Sequence, residues 1–157
     1  DQPRSRGLGD VYKRQQDVGR RLASLALARD YGKKDIVFSG PVMKSSRITK
    51  DKVRVRFDHV GGGLKTRDGK APGHFQIAGA DQVWHWAKAS IEGNEVIVWS
   101  DAVKKPVGVR YAWASWPEGA NLINKEGLPA SCFRTDDFIL STLGIVSPFA
   151  ENAPAKR

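Results

Sequence analysis

Three histidines and one cysteine are the first side chains to test for chemistry in this 157-residue chain. Asp58-His59 places an acid beside the residue type most often used as a general base. Neighbours in a strand point to opposite faces, so the two can share an orienting hydrogen bond only across a bend. Gly61-Gly62-Gly63 follows at once and suggests such a bend or a bulge. His59 therefore reads as a structural or domain-interface histidine. The triple glycine has neither GxGxxG nor GK[ST] around it, so it reads as turn geometry rather than a phosphate cradle. His74 has no partner in sequence and is expected in an exposed turn. Cys132 lies in PASCFRTD with no histidine nearby to activate it, and reads as a small, partly buried residue. One cysteine excludes an internal disulfide and a multi-cysteine zinc site. Three scattered histidines show no ligand spacing, so neither a metal nor a cofactor is expected.

His85 stands between Trp84 and Trp86. Period-two alternation puts both tryptophans on one face, and Val83, His85 and Ala87 on the other. Exposed, the pair would make a platform for stacking sugar rings; buried, they would be core or a domain interface. Trp99, Trp113 and Trp116 raise the same question. Large aromatics dominate core energetics, so all five read as core or interface.

These residues need elements to hold them. Residues 16–31, QDVGRRLASLALARDY, read as a helix. Val18, Leu22, Leu25 and Arg29 form one stripe, Asp17 suits the first turn and Gly32 the C-terminal cap. From Asp35 the period changes from helical to two. Strands are expected at 36–38, 44–49, 52–58, 73–78, 82–91, 95–99 and 106–112, with turns at Arg67-Asp68-Gly69-Lys70 and Glu92-Gly93-Asn94-Glu95. In KVRVRF, Lys52, Arg54 and Arg56 would share a solvated face, with Val53, Val55 and Phe57 behind it. Many short strands point to a mainly β chain: an antiparallel β-sandwich or jelly roll after one helix.

Composition sets the outer limits. The chain is 40% hydrophobic and 27% charged, ordinary for a folded domain. No apolar run approaches the ~20 residues of a membrane span, and no signal peptide stands at the start. The net charge of +9 invites nucleic acid, acidic lipid or an acidic substrate. The basic residues are scattered, however, and no helix-turn-helix, zinc-finger or RNP pattern accompanies them. No nucleic-acid or membrane partner is expected.

Residues 5–15, SRGLGDVYKRQ, have a different origin. One codon choice for this string reproduces a common transposase-based sequencing adapter read in frame. Residues 1–15 are therefore expected to be adapter-derived and non-native. They carry four basic and two acidic side chains, so the natural part holds +7. The natural frame would then enter mid-gene at about Gln16.

DVGRRLASLALARDYG, FSGPV, VRFDHVGGGL, FQIAGAD, VRYAWA and NLINKEGLPASCFRTD resemble, in order, successive blocks of the sialate O-acetylesterase family. The blocks cover most of residues 16–136. This resemblance implies a catalytic domain like the SGNH hydrolases, cleaving acetyl esters from sugar hydroxyls with a serine, a histidine and an aspartate. In such a triad histidine takes the weakly nucleophilic serine's proton and aspartate fixes the imidazole tautomer. The family's D-x-H segment lies just before the helix matching 16–31, where this chain has residues 1–15, and the serine block lies further upstream. No catalytic residue is therefore assigned, substrate-binding residues are unknown, and the chain alone is expected to be inert. Arg110 and Arg134 fall in matched blocks; either could grip a sialate carboxylate bidentately or form an inter-domain ion pair.

The implied organisation is residues 16–33 as the last helix of a truncated SGNH-like domain, 35–136 as a β domain and 137–157 as a tail. The implied partners are an acetylated sugar, met through the full-length parent, and the missing catalytic domain. The parent is expected in the periplasm or outside the cell. An alternative is a non-catalytic carbohydrate-binding β-sandwich module.

Overall fold

The computed structural model describes the backbone of residues 6–139 and side chains from Gln15 onward. The expected tail beyond Ile139 lies outside the described residues, as do the first five. Helix α1 runs Arg6–Arg29. It begins ten residues before the expected start, so Asp17 sits inside the helix rather than in its first turn. Gly32 does end it: at φ 66° it turns the chain so that the Lys33 amide donates to the Leu27 carbonyl at 2.9 Å. Val18 and Leu22 on the apolar stripe are 53% and 63% exposed, so among the described residues the stripe is uncovered.

Ten strands follow. They are β1 (Val42–Thr49), β2 (Lys52–Asp58), β3 (Leu64–Thr66), β4 (Phe75–Ala78), β5 (Trp84–Trp86), β6 (Lys88–Glu92), β7 (Glu95–Trp99), β8 (Gly108–Tyr111), β9 (Leu122–Asn124) and β10 (Phe133–Arg134). All pair antiparallel, in two four-stranded sheets ordered β1-β2-β7-β6 and β10-β8-β4-β5, with a β3-β9 ribbon beside them. The chain is mainly β after one helix, as its periodicity predicts. β2 and β7 keep their expected bounds. The expected strand 82–91 divides in two at Ala87, whose amide donates to the Phe75 carbonyl. Residues 36–38 are not a strand, while β3, β9 and β10 are unanticipated. Segment 38–42 is instead laid along the 124–131 loop. Asn124 donates to the Ser39 carbonyl, Ser131 to the Pro41 carbonyl, and a Cβ on Gly40 would lie 1.9 Å from the Pro129 oxygen.

Alternation supplies the core. Val53, Val55, Phe57, Val96 and Val98 face inward from the first sheet; Phe75, Ile77, Val109, Tyr111 and Phe133 face them from the second. Phe75 and Tyr111 lie 4.7 Å apart and Phe57 meets Phe133 edge-on at 5.8 Å, favoured aromatic spacings. The Tyr111 hydroxyl accepts from the Leu122 amide, tying the ribbon to the core; burial raises its pKa above the ordinary phenol value. No tryptophan joins this core, which corrects the core reading of the five: Trp86, Trp113 and Trp116 are 64%, 40% and 76% exposed.

Candidate functional site

Three tryptophans, Trp84, Trp86 and Trp113, gather at the outer face of β10-β8-β4-β5, while Trp99 lies on β7 of the other sheet. Phe75, Ile77, Val109 and Tyr111 take the inner face, so Gln76, Ala78, Gly108 and Arg110 take the outer one. Directly paired residues share a face. Arg134 pairs with Arg110, Arg110 with Gln76, and Gln76 with Trp86, which makes one row across all four strands. In the next row Gly108 pairs with Ala78 and Ala78 with Trp84. Both are small, and Trp84 lies over them; a Cβ on Gly108 would meet the Trp84 ring at 3.4 Å and the Asp136 Cβ at 3.0 Å.

The Arg110 guanidinium stacks on Trp84, its centre 3.9 Å from the ring centroid. Asp136 holds it there. Arg110 Nε donates to Oδ2 at 2.9 Å and Nη2 to Oδ1 at 2.8 Å, the fork geometry that suits guanidinium and carboxylate. The Asp136 side chain is fully buried and that of Arg110 nearly so. Burial by itself raises the Asp136 pKa; the Arg110 bonds and charge, the Phe138 amide and Arg134 outweigh it, leaving the carboxyl below its ordinary value. Arg110 thus has its carboxylate within the chain. That corrects its reading as a grip for a sugar acid or a partner domain. Arg134 is less committed, with Nη1 at 3.4 Å from the Phe138 carbonyl and 3.9 Å from Asp136. Trp113 lies 5.9 Å from both guanidinium centres.

The end of this face is strained. His74 and Ala112 have φ values of 63° and 50°, left-handed backbone that costs non-glycine residues of order 1–3 kcal/mol. They are joined, since the Ala112 amide donates to the His74 carbonyl at 3.1 Å. His74 meets Trp86 edge-on at 5.1 Å, and its Nδ1 is buried without a hydrogen-bond partner. It is half-buried packing against Trp86, not the exposed turn residue expected.

Asp58 and His59 share no hydrogen bond among the described residues. Asp58 pairs with Lys44 Nζ at 3.0 Å, while His59, exposed at φ 55°, packs its ring 5.8 Å from Phe38. Among the described residues no hydrogen bond joins a histidine to a serine or a carboxylate. His85 pairs with Ile77, on the opposite face from Trp84 and Trp86 as the alternation predicts. Gly61 and Gly63 do form a turn, at φ 55° and 123°, and Glu126 accepts from the Gly62 amide at 2.8 Å. Cys132 is exposed rather than partly buried, because the alternation that turns Phe133 inward turns it out. No group of three or more metal-ligating side chains occurs among the described residues, and no helix there is long and apolar enough to cross a membrane. α1 approaches the β domain away from the tryptophan row: Arg29 covers Phe38, and an open cleft runs from Arg20 and Arg21 to Arg67, Glu126 and Leu128.

Sequence reasoning overlooked Asp136. Its signal was the spacing Arg134-x-Asp136, which in extended chain puts both side chains on one face.

No family model matches the chain, nor does any curated protein. Among solved structures it is similar to a carbohydrate acetylesterase from Xanthomonas citri, at 49% identity and a TM-score of 0.75. The match covers 78% of this chain and 28% of that protein, so the chain spans well under a third of its relative's length.

Proposed function

We propose that the chain is the C-terminal part of a carbohydrate O-acetylesterase that removes acetyl groups from sugar hydroxyls. One observation carries this reading: 49% identity, with the same fold, to part of a carbohydrate acetylesterase. The ordered blocks named above agree with it, and the resemblance covers both O-acetyl sialic acid and acetylated plant polysaccharide as substrates. In this reading residues 16–33, which include the α1 turns from Gln16 onward, are the last helix of an SGNH-like domain whose serine, histidine and aspartate lie in the part of the parent outside this chain. The uncovered stripe of Val18, Leu22 and Leu25 is the surface such a domain would cover. The β domain packs beside it, and the parent works in the periplasm or outside the cell.

The chemistry assigns the missing parts their roles. Serine attacks the acetyl carbonyl, histidine takes its proton and returns it to the sugar oxygen, and oxyanion donors hold the tetrahedral charge. Nothing described in this chain supplies such a set, so the chain alone is inert. The test has two arms. The gene upstream of the Gln16 codon should encode an in-frame D-x-H, and the full-length product should hydrolyse aryl acetate while this chain does not. Hydrolysis by this chain that His59→Ala abolishes would overturn the reading. Release of acetate from O-acetyl sialate, set against release from an acetylated plant polysaccharide, decides the sugar.

A further inference from the structure

Arg134, Arg110, Gln76 and Trp86 form an unbroken row across four strands. With neighbouring strands about 4.8 Å apart, the row is roughly 14 Å long, room for several sugar rings rather than one. At its centre the Arg110 guanidinium lies on Trp84, with Phe138 edge-on to the same ring, and Trp86 and Trp113 stand beside that stack with much of their surface in water. We infer that this row is a binding face for a carbohydrate chain. Trp86 and Trp113 stack its rings, and the Gln76 amide and Arg134 guanidinium meet its hydroxyls or carboxylates. The choice of carbohydrate rests on the acetylesterase reading; the location rests on the geometry alone.

Three observations support a binding face over a bare surface. The floor is fixed before any ligand arrives, because buried Asp136 holds Arg110 by two bonds and Gly108 leaves room for Trp84 to lie flat. A preorganised floor loses little freedom on binding. Left-handed backbone flanks the two exposed rings, with His74 packed on Trp86 and Ala112 preceding Trp113. Such strain gathers at ligand clamps. Finally, Arg29 of α1 lies over Phe38, and the cleft beside the helix is lined by Arg67 and the 126–128 turn, none of them in the row. Among the described residues, then, α1 does not lie over the row. Aromatic faces edged by hydrogen-bond donors suit a sugar, which is apolar on its ring faces and polar at its rim.

Affinity gel electrophoresis of the full chain tests this, with acetylated xylan in one gel and polygalacturonate in another. Retardation is expected in at least one gel and should persist in high salt. Trp86→Ala and Trp113→Ala should each weaken it about tenfold, about 1.4 kcal/mol, without shifting the melting temperature. Absence of retardation in both gels would sink the proposal. So would retardation that survives both substitutions together. Retardation by polygalacturonate alone that vanishes with salt would assign the effect to the net charge of +9 and equally refute a built site. None of these failures touches the acetylesterase reading, which stands or falls on hydrolysis by the parent.

Discussion

The outer faces of the two sheets each lay a cation over a tryptophan. On β1-β2-β7-β6, Lys52 sits 5.2 Å from the Trp99 centroid; on β10-β8-β4-β5, Arg110 sits 3.9 Å from Trp84. The resemblance ends there. Around Lys52 the first face is solvated charge: Arg54 touches Glu92 and Glu95, each at 3.2 Å, and Lys88 reaches Asp101, with both of those side chains mostly in water. Around Arg110 the second face is anchored on a fully buried carboxylate. Water screens exposed pairs until they contribute little, while a buried pair is strongly coupled to its surroundings. One face presents solvated ion pairs to water. The other holds planar groups in a fixed arrangement.

The largest effect should come from cutting that anchor. Asp136→Asn leaves the Arg110 charge buried without its partner, a change that costs about 3–5 kcal/mol in comparable sites. Urea unfolding of the full chain measures it, and a loss below about 1 kcal/mol would put Asp136 with the surface pairs. The effect should depend on pH with a definite sign. The folded carboxyl lies below its ordinary value and the unfolded one titrates near 3.9. Stabilisation by the carboxylate is therefore complete above about pH 5 and is lost as pH falls through the folded value, because the unfolded chain takes up the proton first. The gap between wild type and Asp136→Asn should narrow in acid and stay constant above neutrality.

A smaller loss is expected at Gly108. A Cβ there meets the Asp136 Cβ at 3.0 Å and Trp84 at 3.4 Å, so Gly108→Ala must shift the stack it sits under. Overpacking of this kind costs about 1–3 kcal/mol. The same substitution should also change the tryptophan fluorescence, since Trp84 cannot keep its place over the strand. Unchanged stability and an unchanged spectrum would show that the face is less tightly built than the distances imply.

How much of this could be read from the residues depended on range. β2 and β7 are long and strictly alternating, and their bounds follow from period two alone. β3, β9 and β10 span three, three and two residues, too short for any period, and β3 and β9 abut GGG and KEG runs that signal turns. Trp84 and Trp86 share a face because they are two apart, a local fact. That Arg134 lies beside Arg110 is a fact of register across 24 positions, and nothing local encodes it. Likewise burial of Asp136 and exposure of Trp86 are decided by what packs above each of them. Residue type pointed the other way in both cases, since carboxylates are seldom buried and tryptophans seldom left in water.

The smallest effect separates the faces most sharply. Arg54 makes two ion pairs at 3.2 Å, as many contacts as Arg110 makes with Asp136, so a count of contacts ranks the two arginines equally. Solvent access ranks them differently. The Arg54, Glu92 and Glu95 side chains are 34%, 55% and 30% exposed, against 13% for Arg110 and none for Asp136. Arg54→Ala should therefore cost no more than about 1 kcal/mol, and high salt should reduce even that. Removal of Asp136 should stay costly in the same salt, because water and ions do not reach it. A double-mutant cycle of Arg54 with Glu95, set against one of Arg110 with Asp136, measures both coupling energies directly. Equal couplings would mean that burial is not what distinguishes the tryptophan face. A coupling several times larger for Arg110 would make that buried pair the reason the face keeps its shape.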